Sequence, residues 1–222
     1  MTVKEKVKEK VKERATILVA ARMLSNIFRP TYYPLMGFFI LLLFTYLSLL
    51  PWGYKAGLLL IVYLFTVFIP AVCVYSYRVT CKLSRQDLTA RRNRIVPYLL
   101  HVFSYGILYY FLMSIHAPSF VRAIVVTSLL VQVSCILITL FWNISMHSAG
   151  AGAIIGTLVI YASFFHFNPV WWLCAAIMVS GLVNSSRMLL RQHTLWQVLG
   201  GTFVGLVCGI MGIFVENFLY KL

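Results

Sequence analysis

The chain of 222 residues is 61% hydrophobic and only 11% charged, against roughly 25% charged in soluble domains, and its mean hydropathy is +0.89. Polar groups are too few to cover a globular surface, which excludes a soluble enzyme, a disordered chain and a secreted disulfide scaffold. The net charge of +14, from 19 Lys and Arg against five acids, is read in so apolar a chain as membrane topology before nucleic-acid binding.

Residues 3–14 read VKEKVKEKVKER. The four-residue repeat sets Val3, Val7 and Val11 on one stripe, and Lys and Glu three and four apart support a helix. Such a helix can lie on an anionic leaflet or stand as a solvated charged arm. Segment 1–33 is therefore predicted to be a basic, amphipathic, cytoplasmic or interfacial unit. Residues 34–222 then form the membrane domain.

From residue 34 the chain divides into apolar runs near the roughly 20 residues that cross hydrocarbon. They lie at about 34–50, 56–77, 98–115, 119–142, 147–166, 169–185 and 195–219. Pro51, Pro97, Pro118 and Pro169 punctuate them, and Pro70 is expected to kink the second. The fold class is an all-α, polytopic transmembrane bundle of six to seven spans. With seven crossings, sixteen of the nineteen basic residues fall on one side: eight before residue 34, six between Arg78 and Arg94, and Arg187 and Arg191. Only Lys55, Arg122 and Lys221 remain opposite. The positive-inside rule then places the N-terminus and the basic face in the cytoplasm of a cell (inner) membrane.

Small residues mark two late spans. Gly201, Gly205 and Gly209 recur every fourth residue in the last, and Gly152 and Gly156 occupy the fifth. Such stripes let helices approach closely in lipid, either within one chain or as the face of a homodimer. The five cysteines have no paired spacing and read as apolar side chains.

Three polar stretches interrupt the pattern: RQDLTARRNRIVP (85–97), NISMHS (143–148) and SSRMLLRQHTLWQ (185–197). Two spans separate each from the next, so all three return to one face. Arg92, Arg94 and Arg187 would there form an anion site suited to phosphate. His147 and His193 add a nucleophile and a general acid. Beyond the N-terminal repeat the chain holds only Asp87 and Glu216 as acids. That argues against paired-carboxylate chemistry and against a metal cage, and no cofactor is expected. His101, His116 and His166 do not pair at matched depth, as a b-type haem would require.

At these residues the sequence resembles the type-2 phosphatidic acid phosphatase superfamily, as a divergent member of bacterial type. That family carries a basic residue, six others, then Arg-Pro; Pro-Ser-Gly-His; and Ser-Arg, five residues, His, three residues, Asp. Here Ser186-Arg187 is followed after five residues by His193, with Gln197 at the Asp position. Ser145 and His147 match the second motif, with Ile144 and Met146 in place of Pro and Gly. Arg92 or Arg94 stands for the first. The resemblance implies a membrane phosphatase, a phosphoric monoester hydrolase working through a phosphohistidine on a phosphorylated lipid: phosphatidate, phosphatidylglycerol phosphate or an isoprenyl pyrophosphate. It makes His193 the nucleophile, His147 the acid that protonates the leaving alkoxide, and Gln197 the residue orienting His193. Arg92 or Arg94, Arg187, Ser145 and Ser186 would bind the phosphoryl group. A lipid phosphotransferase, or a non-catalytic lipid-binding protein of the same fold, is the alternative.

Overall fold

The structure is a computed structural model that describes residues 3–44, 49–82, 95–166 and 168–219. Among them every regular element is helical, as hydrocarbon demands of a chain that must satisfy its backbone internally. The helices are α1 (Val3–Ile27), α2 (Tyr33–Phe44), α3 (Trp52–Tyr63), α4 (Ile69–Thr80), α5 (Ile95–Ser114), α6 (Ser119–Phe141), α7 (Met146–Phe165), α8 (Val170–Leu189) and α9 (Leu195–Leu219). Six continuous helical stretches among the described residues are long and apolar enough to cross a membrane: Trp52–Thr80, Ile95–Ser114, Ser119–Phe141, Met146–Phe164, Val170–Leu189 and Leu195–Leu219. The chain is a multi-pass membrane bundle.

Helix α2 is described over 12 residues, Tyr33–Phe44, about 18 Å at 1.5 Å per residue, and residues 45–48 of the first expected span lie outside the described residues. The described residues on either side reach opposite ends of the bundle. Tyr33 bonds to residue 147, while Leu50 packs on the core cluster that holds Ala117 and Phe120. The sixth run is longer than its apolar stretch suggested, because α8 carries its polar end Asn184–Arg187 as helix.

Proline placement follows its missing N–H. Pro51, Pro118 and Pro169 are N-cap residues, and Pro97 sits in the first turn of α5, where no donor is required. Pro70 acts otherwise. Helices α3 and α4 run into one another through a π-helical turn, Leu64–Phe68. The Ile69 N–H bonds to Leu64 O, and Pro70 has no N–H to offer Phe65 O. The Ser104 hydroxyl of α5 supplies that bond at 2.5 Å, so the interruption is satisfied by a neighbouring helix.

The closest helix pair is α7 with α9. Both run in the same direction, and their small residues interlock in step. A Cβ on Gly201, Gly205 or Gly209 would meet the backbone oxygen of Ser145, Ala149 or Ala153 at 2.6, 1.8 and 2.4 Å. Gly152 and Gly156 return the contact against Thr202 and Leu206. The glycine stripe read as a possible homodimer face is therefore occupied within the chain, where backbone contact takes the place of side chains.

Two of the remaining histidines end helices. His116 and His166 have φ of 52° and 49°, the left-handed turn that closes a helix. His101 faces Pro97 O at 2.7 Å. All three have structural positions.

Candidate functional site

Because α7 and α9 are parallel and tightly packed, their first turns lie side by side at one end of the bundle. The Ser145 N–H donates to Gln197 O at 3.3 Å, tying the start of α7 to the first turn of α9. The positive poles of two helix dipoles thus adjoin, an arrangement that favours an anion.

Helix α8 delivers Arg187 to the same end and then turns sharply. Arg191 N bonds to Met188 O and Gln192 N to Arg187 O, at 2.9 and 3.1 Å, with Arg191 at φ 53°. This double-bonded helix stop normally favours glycine at the left-handed position. It swings the chain so that His193 precedes α9 at its buried side, 9% exposed.

His193 is oriented by Gln197. Gln197 Oε1 lies 3.2 Å from His193 Nδ1 and accepts from the Thr194 N–H at 3.2 Å. A backbone N–H can only donate, so the amide atom facing it is the oxygen. The ring nitrogen facing that same oxygen must then carry a proton. His193 is held as the Nδ1–H tautomer, with Nε2 as its basic nitrogen. Gln197 is also the third residue of α9 reaching back to the N-cap backbone, half of a capping box. One side chain therefore starts the helix and sets the tautomer.

His147, in the first turn of α7, is half-buried. Arg187, His193 and Arg29 all lie within electrostatic reach of its ring, which also bonds to the Ser25 backbone. Arg187 donates to Ser25 Oγ at 2.9 Å, and the Tyr33 hydroxyl donates to His147 O at 3.2 Å. Tyr33 lies flat on α7 because residue 150 is glycine, where a Cβ would sit 2.1 Å from the tyrosine ring. Ser25, Arg29 and Tyr33 were not expected here. Their signal in the sequence is the polar, proline-bounded stretch SNIFRPTYYP, which topology alone had absorbed. Helix α1 carries Ser25 to the site by packing Ala21 and Ser25, its two buried residues among those whose side chains are described, toward α8.

Of the expected phosphate ligands, Arg187 joins the histidines. The Ser145 and Ser186 hydroxyls are committed elsewhere. Ser145 caps α7 by accepting from the Ser148 N–H and hydroxyl, at 3.4 and 2.8 Å, and is fully buried. Ser186 donates to Val183 O at 2.7 Å and is 2% exposed. Arg92 and Arg94 lie outside the described residues, as does Asp87. No cluster of three or more His, Cys, Asp or Glu side chains occurs among the described residues.

A cavity of about 480 Å³ opens beside this end, between α2, α5, α6, α7 and α8. Tyr33 and Met146, neighbours of the histidine cluster, line it, and so does Trp172 of α8. No family model, curated protein or solved structure matches the chain.

At the opposite end stands the ion pair that sequence reading missed. Arg122 Nε donates to Glu216 Oε1 at 2.6 Å, with the two side chains 4% and 0% exposed. Arg122 had been assigned to the outer, less basic surface. It lies instead in the bundle interior, because a charge near membrane depth is retained only beside its counter-charge.

Proposed function

We propose that the chain is a membrane phosphatase that hydrolyses a phosphorylated lipid through a phosphohistidine. The observation that carries this reading is the double acceptance at Gln197 Oε1, which leaves His193 Nε2 basic beside Arg187 and His147. Nε2 attacks phosphorus and the bond to the lipid oxygen breaks. His147 gives its proton to the departing alkoxide, and the arriving phosphate, itself anionic, favours a protonated ring there. Water, deprotonated by His147, then cleaves the N–P bond and releases inorganic phosphate. Arg187, joined by Arg92 or Arg94, balances the charge on the phosphoryl oxygens. The adjacent cavity supports a substrate with a hydrocarbon body, since it is largely apolar and of ligand-binding size.

Purified protein should release phosphate from phosphatidate, phosphatidylglycerol phosphate or an isoprenyl pyrophosphate. His193→Ala should abolish the release. No release from any of the three, or full activity in His193→Ala, overturns the reading. Transfer of the phosphoryl group to an added acceptor alcohol, with no inorganic phosphate released, would make the protein a phosphotransferase.

We place the histidine end on the cytoplasmic face of the cell membrane, on the distribution of basic residues. A cysteine introduced at the exposed Gln192, in a background without Cys81 and Cys174, should resist an impermeant thiol reagent in intact cells. Labelling there reverses the assignment.

A further inference from the structure

Helix α1 ends at Ile27, so the carbonyls of its last turn, Leu24 to Ile27, have no N–H of regular helix to receive. The Phe28 N–H closes on Leu24 O at 3.0 Å. The next residue, Ser25, has its own N–H inside the helix, committed four residues back. Its backbone bond to the His147 ring therefore runs through the carbonyl. A carbonyl oxygen only accepts, so the ring nitrogen facing it carries a proton. That proton stays in place in both charge states of the ring, and the second ring nitrogen alone gains and loses one.

The same residue binds a second member of the cluster, since the Arg187 guanidinium donates to Ser25 Oγ at 2.9 Å. Ser25 is 6% exposed. Helix α1 holds it there by packing on α8, with Ala21 buried one turn earlier. The charges around His147 are Arg187 from α8, Arg29 beyond α1 and, when protonated, His193 ahead of α9. Each opposes a second proton on the ring. The C-terminus of α1, the negative pole of a helix dipole, acts the other way. A helix end thus does for His147 what a carboxylate does for the histidine of a serine-protease triad.

We infer that the last turn of α1 is a positioning element of the site, in which Ser25 fixes the His147 tautomer through its carbonyl and the Arg187 guanidinium through its hydroxyl. This rests on the phosphatase reading for what the two groups do, and on the geometry alone for how they are held. The N-terminal helix then belongs to the site as well as to the topology.

The test uses the full chain in detergent. Ring-nitrogen NMR of His147, assigned by loss of its signals in His147→Gln, should show one protonated and one bare nitrogen when the ring is neutral, the pattern of a fixed tautomer. Ala21→Phe wedges α1 away from α8 and should turn those signals toward the averaged pattern of free imidazole. Ala20→Phe, an equal enlargement at an exposed position, should leave them unchanged. Ala21→Leu replaces Ala21→Phe if the latter does not fold. Inorganic phosphate, titrated against the same signals, should bind about three- to tenfold more weakly in Ser25→Ala, where Arg187 is no longer held, and Ser25→Thr should restore the affinity. Averaged signals in the parent, a tautomer that survives in Ala21→Phe, or undiminished phosphate affinity in Ser25→Ala overturns the inference. Release of phosphate from phosphatidate is measured separately, and there Ala21→Phe should lower kcat by about tenfold or more. A fixed tautomer in a protein that neither binds nor releases phosphate would remove the phosphatase and leave the positioning of His147; release with averaged ring signals would remove only the positioning.

Discussion

The bundle has a polar cluster at each end, and the two are built on opposite terms. At the α6–α9 end, Arg122 and Glu216 neutralise one another inside a closed core. At the α7–α9 start, the guanidinium groups of Arg187 and Arg29 gather with His147 and His193 beside two helix N-termini. Arg187 donates to the neutral Ser25 hydroxyl, and Gln197, also neutral, faces His193. A cluster that cancels its own charge is a structural joint. One that gathers two guanidinium groups beside a cavity suits the anionic ligand proposed above.

Substitutions at the two ends should therefore separate stability from chemistry. The largest effect is expected at the neutral end. Glu216→Gln leaves Arg122 buried without a counter-charge and should cost about 3–5 kcal/mol, read from unfolding in detergent. Arg122→Met/Glu216→Leu should recover most of that loss, since well-packed apolar residues replace such a pair at little cost. If the single variant unfolds like the parent, the two ends do not differ as described.

At the histidine end Gln197→Leu should lower phosphate release by about 10²-fold or more, through a freed imidazole tautomer. Its effect on unfolding should be only that of a weakened helix cap, about 1 kcal/mol. Gln197→Glu keeps the capping geometry and adds negative charge beside the ring, and should raise release above that of the parent. Equal activity in all three proteins would show that residue 197 is a cap alone.

The glycine seam joins the two ends. Gly205→Ala places a Cβ against Ala149 O and should cost about 1–3 kcal/mol while also reducing release, because the same seam aligns His147 with His193. Gly181→Ala, on α8 with nothing within 4 Å of the added atom, is the control and should gain up to about 1 kcal/mol. The smallest change is Arg191→Gly. Relief of the left-handed φ should stabilise by about 1 kcal/mol with release unchanged; a drop in release would assign Arg191 to the site.

Much of the architecture was readable along the chain. Apolar runs, their proline boundaries and the two-span interval between polar stretches depend on local composition, and the bilayer imposes helix on each run. That logic placed 143–148 together with 185–197. Of the run at 34–50, helix is described from Tyr33 to Phe44, and residues 45–48 lie outside the described residues. The same logic assigned Arg122 to the less basic side without pairing it to Glu216, since the two lie 94 positions apart in the chain.

From sequence alone came a membrane-embedded helical protein with one basic face and two histidines set toward it. Tertiary structure decided which partner each residue meets. It closed the glycine stripe on α7, drew Ser25 and Tyr33 to the histidines, turned the Ser145 and Ser186 hydroxyls inward, and left Tyr105 and Gln132 facing a cavity. The division has one cause: solvent and hydrocarbon act on each segment independently, whereas a contact between helices depends on the rotation and depth of both.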